Sequence, residues 1–169
     1  MVSYKKYSDI EVFEGNVSEH QYPWHFHDCY TLIAVEKGSI VYEFQDQNLR
    51  VDEAEGLIVE PGKIHRNTIS QPTAYKACFL SKEYFEFAGR KAPFTRKVNH
   101  PDAVEIIFEL LRTIELNSRK DEIKEVAFEL CELMNQSRVE TNDEFPSGVN
   151  EIPTIDFELT INELAEKAH

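Results

Sequence analysis

The 169-residue sequence predicts a mainly β domain, a small barrel or sandwich, followed by an antiparallel helical hairpin. Three observations carry this. From Tyr7 to Leu80, short runs rich in Val, Ile, Tyr, Phe and Thr alternate with turn signals, the pattern of many short strands. Two histidine-bearing signatures sit inside that stretch, about one β-meander apart. From Pro101 onward the hydrophobic period switches from that of a strand to that of a helix.

Taken in order, turn signals fall at Glu14-Gly15-Asn16, Lys37-Gly38-Ser39, Asp46-Gln47-Asn48, Ala54-Glu55-Gly56, Pro61-Gly62 and Gln71-Pro72. The first signature runs from His25-Phe26-His27 to Gly38. Successive side chains of a strand alternate faces, so His25 and His27 share a face, joined by Thr31, Ile33 and Val35 if the strand continues, while Tyr30 faces away. In the second signature, Gly56 to Asn67, Pro61-Gly62 turns the chain after an apolar strand, and His65 and Asn67 share a face beyond it. Three imidazoles are therefore expected to converge inside one hollow. Ser81-Lys82-Glu83 reads as the capped start of a short helical turn.

Pro101 marks a helix start, and Ala103, Val104, Ile107, Phe108, Leu110, Leu111 and Ile114 form a wide apolar arc. After Asn117-Ser118 a second helix carries Ile123, Val126, Ala127, Leu130, Leu133 and Met134 on one stripe. The short connector predicts antiparallel packing. Phe128 and Cys131 lie off that stripe, which suggests a second buried contact, either with the barrel or with a partner. Arg138 to Asp156 has linker composition, with Pro146, Ser147, Gly148 and Pro153 among acidic residues. Thr160 and Glu163 form a capping box at the start of an amphipathic segment that reaches His169 mid-stripe, so more protein is expected to follow.

Composition narrows the function classes. The formal charge is −13, and residues 101–169 hold 17 acidic against 6 basic side chains, which leaves −11 there. Such a piece repels a phosphate backbone, so this chain by itself is not expected to bind DNA. Cys29, Cys78 and Cys131 are odd in number and lack C-x-x-C spacing, so reduced thiols are expected. The chain has no long apolar run, and its first residues lack the apolar stretch of a secretory signal, so a cytoplasmic location without membrane contact is expected. The sequence contains no Gly-x-Ser-x-Gly, phosphate loop or dinucleotide fingerprint.

From Trp24 to Asn67 the paired signatures, His-x-His with a following Gly38 and then Gly-Pro-Gly with a late His65, resemble the cupin superfamily. The resemblance implies a cupin-like double-stranded β-helix, a jelly-roll barrel, over residues 1–98. The family's metal-binding Glu is replaced by Thr31, which points away from a metal-dependent cupin enzyme. A cupin-like barrel, a helical hairpin at 99–137, a linker at 138–157, and then Leu159-Thr160-Ile161-Asn162-Glu163-Leu164-Ala165-Glu166-Lys167-Ala168 is the order found in AraC-type transcriptional regulators. The last segment, 158–169, resembles the first helix of their helix-turn-helix domain, cut off before the DNA-reading helices. The resemblance implies a small-molecule sensor and homodimerisation region, with DNA contacted only through the missing C-terminal domain, and no enzyme activity.

The candidate ligand-binding residues are His25, His27, Thr31, His65, Asn67, Trp24 and Tyr42. Imidazole offers both a donor and an acceptor to an effector. His25, His27 and His65 also suit a divalent first-row metal, although no cofactor is expected, or they are structural histidines satisfied by backbone. Tyr22, Tyr30, Phe44 and Tyr75 read mostly as plain core. Arg50 and Arg66 could meet an anionic effector but fit better as surface residues. The alternative function is a metal-dependent cupin oxygenase or isomerase using the three histidines.

Overall fold

A computed structural model describes residues 2–7, 10–85, 95–98, 101–116 and 119–136. Its strands are β1 Val2–Tyr7, β2 Ile10–Val17, β3 His20–Gln21, β4 Tyr30–Lys37, β5 Ser39–Phe44, β6 Asn48–Asp52, β7 Gly56–Val59, β8 His65–Ile69, β9 Thr73–Leu80 and β10 Arg96–Val98. A 3-10 turn covers Lys82–Tyr84, and two helices follow, α1 Pro101–Glu115 and α2 Lys120–Gln136. The strands form a six-stranded sheet, β1-β2-β9-β4-β7-β10, facing a four-stranded sheet, β3-β8-β5-β6, with every pairing antiparallel. This is the expected jelly-roll barrel with a helical hairpin behind it.

Alternation divides the apolar residues between two cores. In β4, Ile33 and Val35 face the second sheet together with Tyr75 and Ala77 of β9, and they share one core with Ile40, Tyr42 and Phe44 of β5 in that sheet. Leu32, Ala34, Cys78 and Leu80 face the other way, against Ile107, Leu110, Leu111 and Ile114 of α1 and Ile123, Ala127 and Leu130 of α2. Strand β4 is buried on both faces, which explains its run of apolar residues, Leu32 to Val35. The buried stripe of the hairpin is thus covered by the outer face of the larger sheet. Ile106, outside the predicted arc, is buried too. Phe128 is half-buried, and the side chains of Cys131, Leu133 and Met134 lie outside the described residues, as do the linker and helix-turn-helix segments expected at 138–157 and 158–169.

Five of the six turn signals separate strands as expected. The sixth fails: Glu14-Gly15-Asn16 lies inside β2. A Cβ on Gly15 would stand 2.6 Å from the Tyr75 ring, so glycine serves there as room for an aromatic side chain and not as a bend. Gly38 does turn the chain, with φ +84 in the β4–β5 hairpin and the Pro72 carbonyl oxygen 2.5 Å from where a Cβ would stand. The strand expected from His25 is also broken. His25 makes an isolated bridge with His65, and β4 begins only at Tyr30.

Candidate functional site

The two signatures meet where β8 is paired on one side by the His25 segment and on the other by β5. His25 and His65 exchange both backbone hydrogen bonds at 2.9 Å, which places their rings side by side with centroids 4.3 Å apart. The carbonyl of His27 accepts from Gly62 N–H at 2.8 Å, so the Pro61-Gly62 turn anchors the third histidine. Its ring lies 4.9 Å from that of His25 and 5.5 Å from that of His65, with Phe79 edge-on at 5.0 Å. One ring nitrogen from each histidine falls within 4.8 Å of the others.

Two of these rings are oriented by backbone. His25 Nδ1 donates to the Pro23 carbonyl at 2.7 Å, and His65 Nδ1 donates to the Lys63 carbonyl at 2.8 Å. Burial pushes all three imidazoles below their ordinary range, and neighbouring rings add to this, bringing His27 and His65 to about 3. At neutral pH the rings are uncharged.

The rings line a cavity between the sheets of about 60 Å³. Thr31, Tyr42 and Asn67 also line it, as do Phe13, Tyr22, Tyr75, Ala77 and Phe79. Thr31 Oγ1 is buried and has no hydrogen-bond partner among the described residues. Tyr22 and Tyr75 share a buried hydroxyl–hydroxyl bond of 3.2 Å, and burial raises the phenols of both and of Tyr42 above their ordinary range. Every lining side chain is neutral or apolar at pH 7.

Six of the seven candidate ligand residues therefore come together. Trp24 does not: it is half-buried, one step out of alternation with His25, and its ring lies under the Arg66 guanidinium at 5.0 Å. Arg66 is turned outward to Glu43 at 2.7 Å, and Arg50 pairs with Asp52 at 2.7 Å, so neither serves the cavity. Phe13, Ala77 and Phe79 were not predicted, and Tyr22 and Tyr75 read as core. Period-two alternation in Thr73–Leu80 puts Tyr75, Ala77 and Phe79 on one face, yet only the sheet order β2-β9-β4 shows which face is enclosed.

Three neutral imidazoles, two with the ring held by a backbone carbonyl, suit a divalent first-row metal by donor type. Their nitrogens spread to as much as 4.8 Å, against the roughly 3.4 Å between two nitrogens on one tetrahedral ion, so holding an ion needs the rings to draw together. Thr31, which lines the same cavity, offers a hydroxyl that supplies no charge.

The family profile of the AraC-like ligand binding domain matches residues 7–137. The chain belongs to this family. No curated protein matches it. Among solved structures, the AraC-like ligand binding domain fold seen here is shared with the AraC-like transcriptional activator CuxR, at 11% identity and a TM-score of 0.57. That similarity covers 79% of this chain and 53% of CuxR, so the chain spans about half of that activator's length. A cupin-2 domain protein from Shewanella frigidimarina is also similar, with 20% identity, a TM-score of 0.41 and coverage of 45% of this chain and 78% of that one. Among the described residues no helix is long and apolar enough to cross a membrane.

Proposed function

We propose that this AraC-like ligand binding domain is the effector-sensing and dimerisation region of a DNA-binding transcriptional regulator. In this reading residues 1–98 capture a small molecule, 99–137 form the dimerisation element, 138–157 are a linker, and 158–169 begin a helix-turn-helix domain. His25, His27, Thr31, Tyr42, His65 and Asn67 are the effector contacts. The observation that carries the reading is the cavity between the sheets, walled by aromatic rings and a few convergent polar groups, one of them the buried Thr31 hydroxyl without a protein partner.

Regulation requires that the effector bind one arrangement of the hairpin better than another, because equal affinity for both shifts nothing. Isothermal titration of the chain with candidate metabolites, followed by small-angle scattering with and without the best binder, tests this. Saturable binding accompanied by a changed dimer shape is expected. Binding with an unchanged shape removes the coupling, and failure of every candidate to bind removes the sensor.

The histidine cluster favours one second reading, a metal-dependent cupin oxygenase or isomerase in which His25, His27 and His65 hold the ion. Elemental analysis of protein purified without added metal decides it. One iron, nickel, manganese or zinc per chain would favour the enzyme, and sub-stoichiometric metal the sensor.

A further inference from the structure

The turn Glu60-Pro61-Gly62-Lys63 holds two of the three histidines at once. Gly62 N–H donates to the main-chain carbonyl of His27 at 2.8 Å, and the Lys63 carbonyl accepts from the ring of His65, also at 2.8 Å. Among the described residues no hydrogen bond holds the His27 ring itself, so that main-chain anchor governs where the ring stands. The turn is of type II, closed by Lys63 N–H on the Glu60 carbonyl at 3.3 Å, with proline second and a glycine of φ +77 third. A Cβ on Gly62 would meet nothing within 4 Å, so the glycine serves the backbone angle and its tip faces open space. The turn is fixed at its base instead, where Thr95 grips Glu60 twice. Glu60 N–H donates to Thr95 Oγ1 at 3.0 Å, and Thr95 N–H donates to Glu60 Oε2 at 3.2 Å. Thr95 is buried and stands one residue before β10 joins β7 at Arg96 opposite Ile58. These two bonds take over where the strand ladder stops, and each satisfies a main-chain donor.

We propose that Thr95 is a positioning residue of the histidine cluster: by gripping Glu60 it holds the Pro61-Gly62 turn, and through that turn His27 and His65, in the cavity wall. Thr95 touches neither ring and lies outside both histidine signatures, so it acts only through the main chain it fixes. Its importance for effector binding rests on the reading of the cavity as the effector site, whereas the placement of the rings does not.

Nuclear magnetic resonance of the histidine ring C–H groups in the intact chain tests this without any ligand. Thr95→Val keeps the size of the side chain and removes Oγ1, so the His27 and His65 signals should shift. Thr95→Ser retains the hydroxyl and should return both to their parent positions. Val98→Ala is the control: it trims a buried side chain further along β10, in the core shared with α1, and lowers stability without touching the turn. Both signals should stay in place there. If Thr95→Val does not fold, Glu60→Ala removes the carboxylate half of the grip and should shift the same two signals. Unmoved signals in these variants, an equal shift in Val98→Ala, or a shift that serine does not reverse each overturn the proposal and leave the effector reading standing. Failure of every metabolite to bind removes that reading and leaves the ring shifts as expected.

Discussion

At the scale of single residues, Thr31 in the wall of the cavity and Gly15 against the ring of Tyr75 are two positions whose substitution should act on stability in opposite directions. Among the described residues Thr31 Oγ1 has no hydrogen-bond partner, and a buried hydroxyl left unpaired costs about 1–3 kcal/mol. Thr31→Val keeps the shape and removes that cost, so the ligand-free variant should be more stable than the parent by about 1 kcal/mol in urea unfolding, while binding more weakly. Equal or lower stability would mean that the hydroxyl is satisfied in solution. Gly15 works in the opposite sense. Gly15→Ala puts a methyl 2.6 Å from the Tyr75 ring, and the ring must either shift into the cavity or strain its surroundings, at about 1–3 kcal/mol. A lowered urea midpoint with reduced ligand affinity checks it. The histidine triad was legible in the sequence because alternation acts over two or three residues. The Tyr75–Gly15 contact was not, because those residues meet only through the pairing of β2 with β9.

Among elements, the hairpin is held by apolar burial and not by its ion pairs. Leu110 and Ile107 are fully buried against the larger sheet, and Leu110→Ala should cost about 2–5 kcal/mol. By contrast, the Lys120–Glu83 pair at 2.8 Å joins two exposed side chains, and Glu83→Gln should leave the unfolding midpoint where it is. Thermal unfolding of the two variants side by side distinguishes the contributions. Both helices were readable from their apolar stripes, starting at Pro101 and resuming after Asn117-Ser118. Their docking face was not, since an amphipathic stripe says that a partner exists without naming it. The break between His25 and Tyr30 was hidden for a related reason: alternation survives a short irregular stretch, so the faces came out right although the strand did not.

For the molecule as a whole, the buried imidazoles set the acid limit. Their pKa values in the fold lie below the ordinary 6.5, with His27 and His65 near 3, so the unfolded chain binds more protons between those values. Stability contributed by keeping the rings neutral is therefore complete above pH 6.5 and is lost as pH falls toward 3. Each such ring removes about 1.4 kcal/mol per pH unit in that window. Over the window from 6.5 to 3, two such rings remove about 10 kcal/mol, a large share of a typical total of about 5–15 kcal/mol. Urea midpoints taken from pH 7 to pH 4 should decline steadily, and a flat profile would contradict buried neutral rings.

Thr31 and Leu32 are consecutive in β4, the first lining the cavity between the sheets and the second touching the core beneath the hairpin. The strand is a septum one peptide thick between two compartments. A guest that displaces the first side chain cannot do so without tugging the neighbour on the far side, so no long relay of residues is needed for news of occupancy to cross. Amide exchange along this one strand should consequently slow in concert when the chamber fills, and its protection would report the state of both rooms at once.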